Sequence, residues 1–242
     1  MVEFFANSLM NGFVKSSMMG QGIVLAQILA SVFMFAIAFN KWKGLARVSE
    51  AARRVTRDVM GGRDVLEYYL ARHPNGHTPL ENIYWATCDR LLRLLAPDTR
   101  SLLVGRQPGA VVAVTDNEME LVKSLGYHVL DEEEIRVGRG MGAITAVVAL
   151  APMLGLLGTV WGVLDAFADM GEAGSATIAT MAPAISAALV TTVVGLLVAI
   201  PGVLLNTHLN ARVRALTSDM EGFTEDLLGR IALEFKGKGR DA

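Results

Sequence analysis

Charge is missing where this chain is most apolar. Between Gly140 and Ala211 there is no lysine or arginine. The segments Gly140–Leu164 and Met181–Thr207 also lack Asp, Glu and His, and Gly20–Phe39 lacks every charged type. Proton and ion relays in membranes normally depend on such groups, so any relay here needs a carboxylate from another chain. Cysteine occurs once, at Cys88, which excludes an internal disulfide. A lone thiol of this kind is expected to be a half-buried small apolar residue. The histidines (His73, His77, His128 and His208) are scattered, without metal-ligand spacing and without a nucleophile beside them. No metal, no cofactor and no enzymatic activity is expected. The net charge of −2 argues against a nucleic-acid partner.

What is present is long apolar helix. Of 242 residues, 52% are hydrophobic and 19% charged, a balance that suits a membrane protein with a substantial soluble part. Gly20–Phe39 is uncharged for the ~20 residues that a helix needs to cross a bilayer. Positive charge follows it, at Lys41, Lys43, Arg47, Arg53, Arg54 and Arg57. A signal peptide would carry that charge in front, so the segment is read as a retained first crossing over 20–40, with the N-terminus outside. The second crossing is expected at 140–164 and the third at 181–207. The turn between them, 165–180, carries Asp165, Asp169 and Glu172 without a basic residue and belongs outside. Arg212 and Arg214 after the third crossing belong inside. The expected topology is N-out, C-in.

The flanking segments read as helix too. In 1–19, Phe5, Leu9 and Phe13 fall near one face, which fits either an amphipathic helix on the membrane surface or a frayed terminus. The cytoplasmic region 41–139 opens with Leu45, Val48, Ala52, Val55 and Val59 at spacings of three and four, a coiled-coil-like stripe. Gly61-Gly62 interrupts it, and His73–Gly76 reads as a turn. Thr78-Pro79-Leu80-Glu81 and Thr115-Asp116-Asn117-Glu118 have the capping-box pattern that opens helices. The segment 110–114 fits strand or helix equally. The acidic run Asp131–Glu134 is expected to be a solvated helix face. In 208–242, Leu209, Val213, Leu216, Met220, Phe223, Leu227 and Ile231 continue the apolar stripe, which predicts one helix from about Pro183 to near 235. A stripe that long requires partner helices, hence a homo-oligomer. The fold class is therefore an all-α membrane protein with three transmembrane helices and long helical cytoplasmic extensions.

Small residues mark the surfaces that should carry function. Gly155, Thr159, Gly162 and Ala166 share one face of the second crossing, and Ala188, Thr192, Gly195 and Ala199 one face of the third. Such faces let membrane helices approach closely, and hydroxyls can bond across them; alternatively, each threonine bonds only the preceding turn of its own helix. Gly155, Gly158, Gly162, Ala188, Gly195 and Pro201 are the candidate packing residues.

The segments APMLGLLGTVWGVLDAF (Ala151–Phe167) and APAISAALVTTVVGLLVAIPGVLLN (Ala182–Asn206) resemble the paired signatures of the MotA/TolQ/ExbB proton-channel family. The approach EEEIRVGRGMGAITAVVALAP and the three-crossing layout resemble its ExbB/TolQ branch. The likeness is strong over 131–207 and architectural over 1–130. It implies a homopentamer in the bacterial inner membrane around a pair of single-crossing ExbD/TolR-like partners, whose Asp takes up protons. It also implies a TonB/TolA-like energy transducer that carries the resulting motion toward the outer membrane. By position, Thr159 and Thr192 match the family's pore-facing threonines, with Thr191 and Ser186 as further polar groups nearby. One departure stands out: where many relatives have Glu in a pattern like I-x-E-A-L, this chain has Ala187. A non-conducting scaffold of the same fold is the alternative that this loss allows.

Overall fold

The computed structural model describes residues 10, 12–14, 16–62, 64–71, 78–95, 114–173 and 178–235. Most of the amphipathic 1–19 segment, the 73–76 turn, 110–113 and the tail after Phe235 lie outside the described residues. The elements described are helices: α1 Met18–Gly61, α2 Glu67–Ala71, α3 Pro79–Leu94, α4 Asp116–Gly138, α5 Met141–Ala173 and α6 Ile178–Phe235. Three of them, α1, α5 and α6, are long and apolar enough to cross a membrane. At 58 residues, α6 spans on the order of 90 Å.

The connection between α5 and α6 is shorter than the sequence suggests. The stretch 165–180, expected as a turn, is helical to Ala173 and again from Ile178. Ala166, Phe167, Ala168 and Met170 tolerate or favour helix, and single acids between them do not break it. Asp165 and Asp169 therefore sit on α5 itself. Pro152, Pro183 and Pro201 lie inside helices, each giving up one intrahelical donor. Between α4 and α5 the chain passes through Gly140 at φ +85°, a conformation that favours glycine.

The chain divides into two compact units, Met1–Trp42 with Gly140–Asn210, and Lys43–Arg139 with Ala211–Ala242. The first holds the apolar spans. Its buried rows are narrow and its outer faces remain greasy: Leu29 and Leu204 are each 70% exposed, as expected for surfaces that meet lipid or further helices.

The second unit has a conventional core. Leu45, Ala52, Val55 and Val59 of α1 are buried, as are Leu216, Met220, Phe223, Leu227 and Ile231 of α6, so both sequence stripes face inward here. Helix α3 packs on α4. Thr78 caps α3 by accepting the Glu81 amide at 3.1 Å, and Thr115 with Glu118 forms a full capping box at α4. Two α6 residues one turn apart hold the end of α1 and the chain that follows. Arg230 donates to the Val59, Met60 and Gly62 carbonyls, and Glu234 accepts from the Val65 amide at 3.0 Å.

Two expectations fail in this unit. Cys88 is fully buried rather than half-buried. It packs beside Tyr84, and burial pushes its thiol up to about 12. The acidic run is not wholly solvated either, since Glu133 is only 3% exposed. It accepts from Asn82 Nδ2 at 2.9 Å and from the Arg136 guanidinium at 2.6 Å. Those charge-assisted bonds are what make its burial affordable.

Candidate functional site: a polar seam between small-residue helices

Within the first unit, α5 and α6 meet through small residues. On α6, Ala187, Ala188, Thr191, Gly195 and Ala199 form a buried row; on α5, Ala151, Gly155, Gly158 and Ala166 do the same. A Cβ added at Gly155 would lie 2.8 Å from Thr192 Cα, and one at Gly195 would lie 2.5 Å from the Ala151 carbonyl oxygen. At Gly162 it would come 2.6 Å from Ala188 Cβ, and at Gly158 it would run into the Thr191 side chain. The backbones of α5 and α6 thus approach closely enough for side chains of one to reach carbonyls of the other.

Three side chains use that access. Thr192 Oγ1 donates to the Gly155 carbonyl at 2.9 Å. Thr191, with no exposed surface, sets its hydroxyl 3.0 Å from the same carbonyl and 2.7 Å from that of Ala188 on its own helix. A hydroxyl carries a single proton, so Thr191 divides it between two acceptors. From α1, Gln27 donates Nε2 to the Ala151 carbonyl at 3.0 Å, one turn from Gly155, and it too is fully buried. The seam therefore joins all three long helices through uncharged groups. It offers donors and acceptors to a proton route but no group that can itself hold a proton.

The structure brings Thr191 and Thr192 together on Gly155 and leaves Thr159 apart. Thr159 donates to the Leu156 carbonyl at 2.7 Å, a bond within its own helix. Thr192 and Thr159 keep partly exposed surface, and Ser186 is exposed. Thr191 and Ala187 face the interior of this chain instead, with Ala187 only 2% exposed. Pro201 points outward. Gln27 escaped the sequence reading, although an amide in an otherwise uncharged crossing was the signal available.

Residues 94–222, just over half the chain, match the MotA/TolQ/ExbB proton channel family. The chain belongs to that family. The match contains α4, α5 and the seam residues of α6, while Gln27 lies outside it. Among relatives, the Tol-Pal system protein TolQ of Haemophilus influenzae is 28% identical over 230 residues, covering 93% of this chain and 94% of its own length. TolQ of Pseudomonas aeruginosa is 26% identical over 214 residues, 88% of this chain and 87% of that protein. The biopolymer transport protein ExbB of Neisseria gonorrhoeae is 43% identical over 96 residues, 40% of this chain and 44% of the relative. A member of the MotA/TolQ/ExbB family is a membrane-resident transport protein and not an enzyme.

Proposed function

We propose that this MotA/TolQ/ExbB family member is the channel-forming scaffold subunit of an inner-membrane motor driven by the proton-motive force. It works as a homopentamer, N-out and C-in, around a pair of ExbD/TolR-like single-crossing partners. A TonB/TolA-like transducer passes the motion on to outer-membrane transport or envelope maintenance. One observation carries this reading. Thr192 keeps exposed surface beside an interhelical carbonyl in spans that hold no ionisable side chain, so the proton acceptor has to come from another chain. A carboxylate in such a low-dielectric interior is costly to ionise, and hydroxyls with the water they hold lower that cost.

A second reading, a non-conducting scaffold, is favoured by Ala187, where the family resemblance expects Glu in many members. The experiment that separates them is co-purification with a short single-crossing protein bearing an intramembrane Asp, followed by native mass spectrometry. The motor reading expects a pentamer holding a pair of partners. A pentamer that never retains such a partner supports the scaffold.

A further inference from the structure

Among the described residues, Gln27 Oε1 is a buried side-chain acceptor with no protein partner. It belongs to a side chain with no exposed surface, in the middle of the apolar unit. We propose that Gln27 holds a water molecule inside the helical unit, and that this water extends the polar seam of α6 across to α1. The site stands independently of the proton-channel reading; its consequence for conduction rests on that reading.

The amide orientation is set by its other end. Nε2 lies 3.0 Å from the Ala151 carbonyl, and the reversed amide would press two carbonyl oxygens together. The acceptor thus turns away from Ala151, and the seam hydroxyls are engaged with other acceptors. The Thr192 hydroxyl is committed to Gly155, and that of Thr191 to Gly155 and Ala188. The backbone amides of the surrounding helices are used in their own ladders. A buried acceptor left unpaired is strongly disfavoured, because it has lost its hydration for nothing. Since Gln27 is enclosed by its own chain, the donor must be small enough to enter between packed helices, and water meets that condition.

Polar partners and room for the head group are at hand. Water in a protein interior needs two to four polar partners, roughly. The same amide bonds the Ala151 carbonyl through Nε2, and one turn along α5 the Gly155 carbonyl takes both threonine hydroxyls. Glycines on two helices make room for the amide: a Cβ at Gly195 would lie 2.9 Å from Nε2, and one at Gly155 would lie 3.4 Å away. Gln27 does not ionise, so it is a positioning residue. It orients the water, and no proton passes onto the amide itself.

The test reads the Gln27 carbonyl directly. Gln21, Gln27 and Gln107 are the glutamines of the chain. With 13C-labelled glutamine in the purified full-length oligomer, subtracting the Gln27→Met infrared spectrum isolates the Gln27 side-chain carbonyl. Met keeps the length and removes both polar ends. Should Gln27→Met fail to assemble, the double variant Gln21→Asn, Gln107→Asn leaves Gln27 as the one labelled glutamine. The expected band is that of a hydrogen-bonded carbonyl, sensitive to exchange into D2O and unmoved in Thr191→Val and Thr192→Val. A free-carbonyl band overturns the proposal, and so does a band that moves to the free position in either threonine variant, since a hydroxyl would then be the donor. Proton-driven work should also fall in Gln27→Met by about tenfold, the factor an ordinary hydrogen bond carries. A hydrated Gln27 in a complex that conducts no protons leaves the site standing and removes the channel reading. A free Gln27 carbonyl in a complex that conducts does the reverse.

Discussion

Thr192 and Gly155 meet across the α5–α6 interface, the hydroxyl of one 2.9 Å from the carbonyl of the other. That bond exists because Gly155 has no side chain: a Cβ there would lie 2.8 Å from Thr192 Cα. Close approach and polarity at this seam are therefore one feature. The residue that lets the helices touch also exposes the carbonyl that the hydroxyl uses.

Bulk at the seam should separate α5 and α6. Gly155→Ala and Gly195→Ala each set a methyl against backbone, at 2.8 Å and 2.5 Å in turn, which cannot move aside cheaply. Both should lower the melting temperature of the oligomer in detergent and reduce its yield. Gly142→Ala and Gly222→Ala have nothing within 4 Å of the added carbon, and each should be neutral or gain up to about 1 kcal/mol from helix propensity. Equal effects in the two pairs would mean that the seam is not a packing surface.

A carboxylate placed at Ala187 should harm the chain. The position is only 2% exposed, and an unpaired charge in that interior neutralises or disrupts packing. Ala187→Glu should lose oligomer and thermal stability, whereas Ser186→Glu, at an exposed neighbour, should insert and assemble. A fully stable Ala187→Glu oligomer would show that α6 is turned differently about its axis.

Much of this was legible in the residues. The stripes of α1 and α6 appear because Leu, Val, Met and Phe recur at threes and fours, and Thr115 with Glu118 announces the start of α4 by chemistry alone. The spans follow from the absence of charge. What remained hidden depends on tertiary partners. Glu133 is one of four consecutive acids and is buried because Asn82, distant in sequence, comes to meet it. Thr191 and Thr192 are adjacent and chemically identical, so only the rotation of α6 separates the enclosed one from the one with surface. Gln27 acquires meaning only when α1 lies against Ala151.

The second unit should stabilise as pH falls from neutrality. Burial, with help from Asp64, raises the Glu234 carboxyl above its usual range, outweighing the Val65 amide and Arg230. Burial together with Glu221 and Asp131 raises Glu134 likewise. A carboxyl raised in the folded state favours protonation there. Its stabilising contribution is full below the ordinary carboxylate range and is lost as pH rises through the raised value. Glu234→Gln keeps an acceptor for the Val65 amide, so it should hold stability at pH 7 and flatten the dependence, with Glu134 supplying the remainder. Denaturant unfolding followed by Trp85 fluorescence, with Trp42 and Trp161 replaced by Phe, reads this. A steeper dependence in the variant would reverse the sign.

Orientation is open to labelling, because the native thiol stays silent. Cys88 is enclosed, with its thiol pushed up to about 12, and it should not react with maleimide in intact protein. Cysteine introduced at Met170 should label from outside the cell, and at Arg57 or Glu225 only from inside. External labelling anywhere in 41–138 of intact cells would overturn the N-out, C-in arrangement.

The central claim is that this chain lines a proton route whose carboxylate is supplied by a partner, with the Thr192 hydroxyl turning from the Gly155 carbonyl to donate to that carboxylate. The direct measurement is proton flux into proteoliposomes, read by an enclosed pH-sensitive dye after an imposed proton gradient. The complex with the single-crossing partner should conduct, and this chain alone should not. Thr192→Val keeps the shape and removes the hydroxyl, so it should lower the flux about tenfold while the complex stays intact. Equal flux from the chain alone, or a Thr192→Val complex that conducts like the parent, would contradict the account.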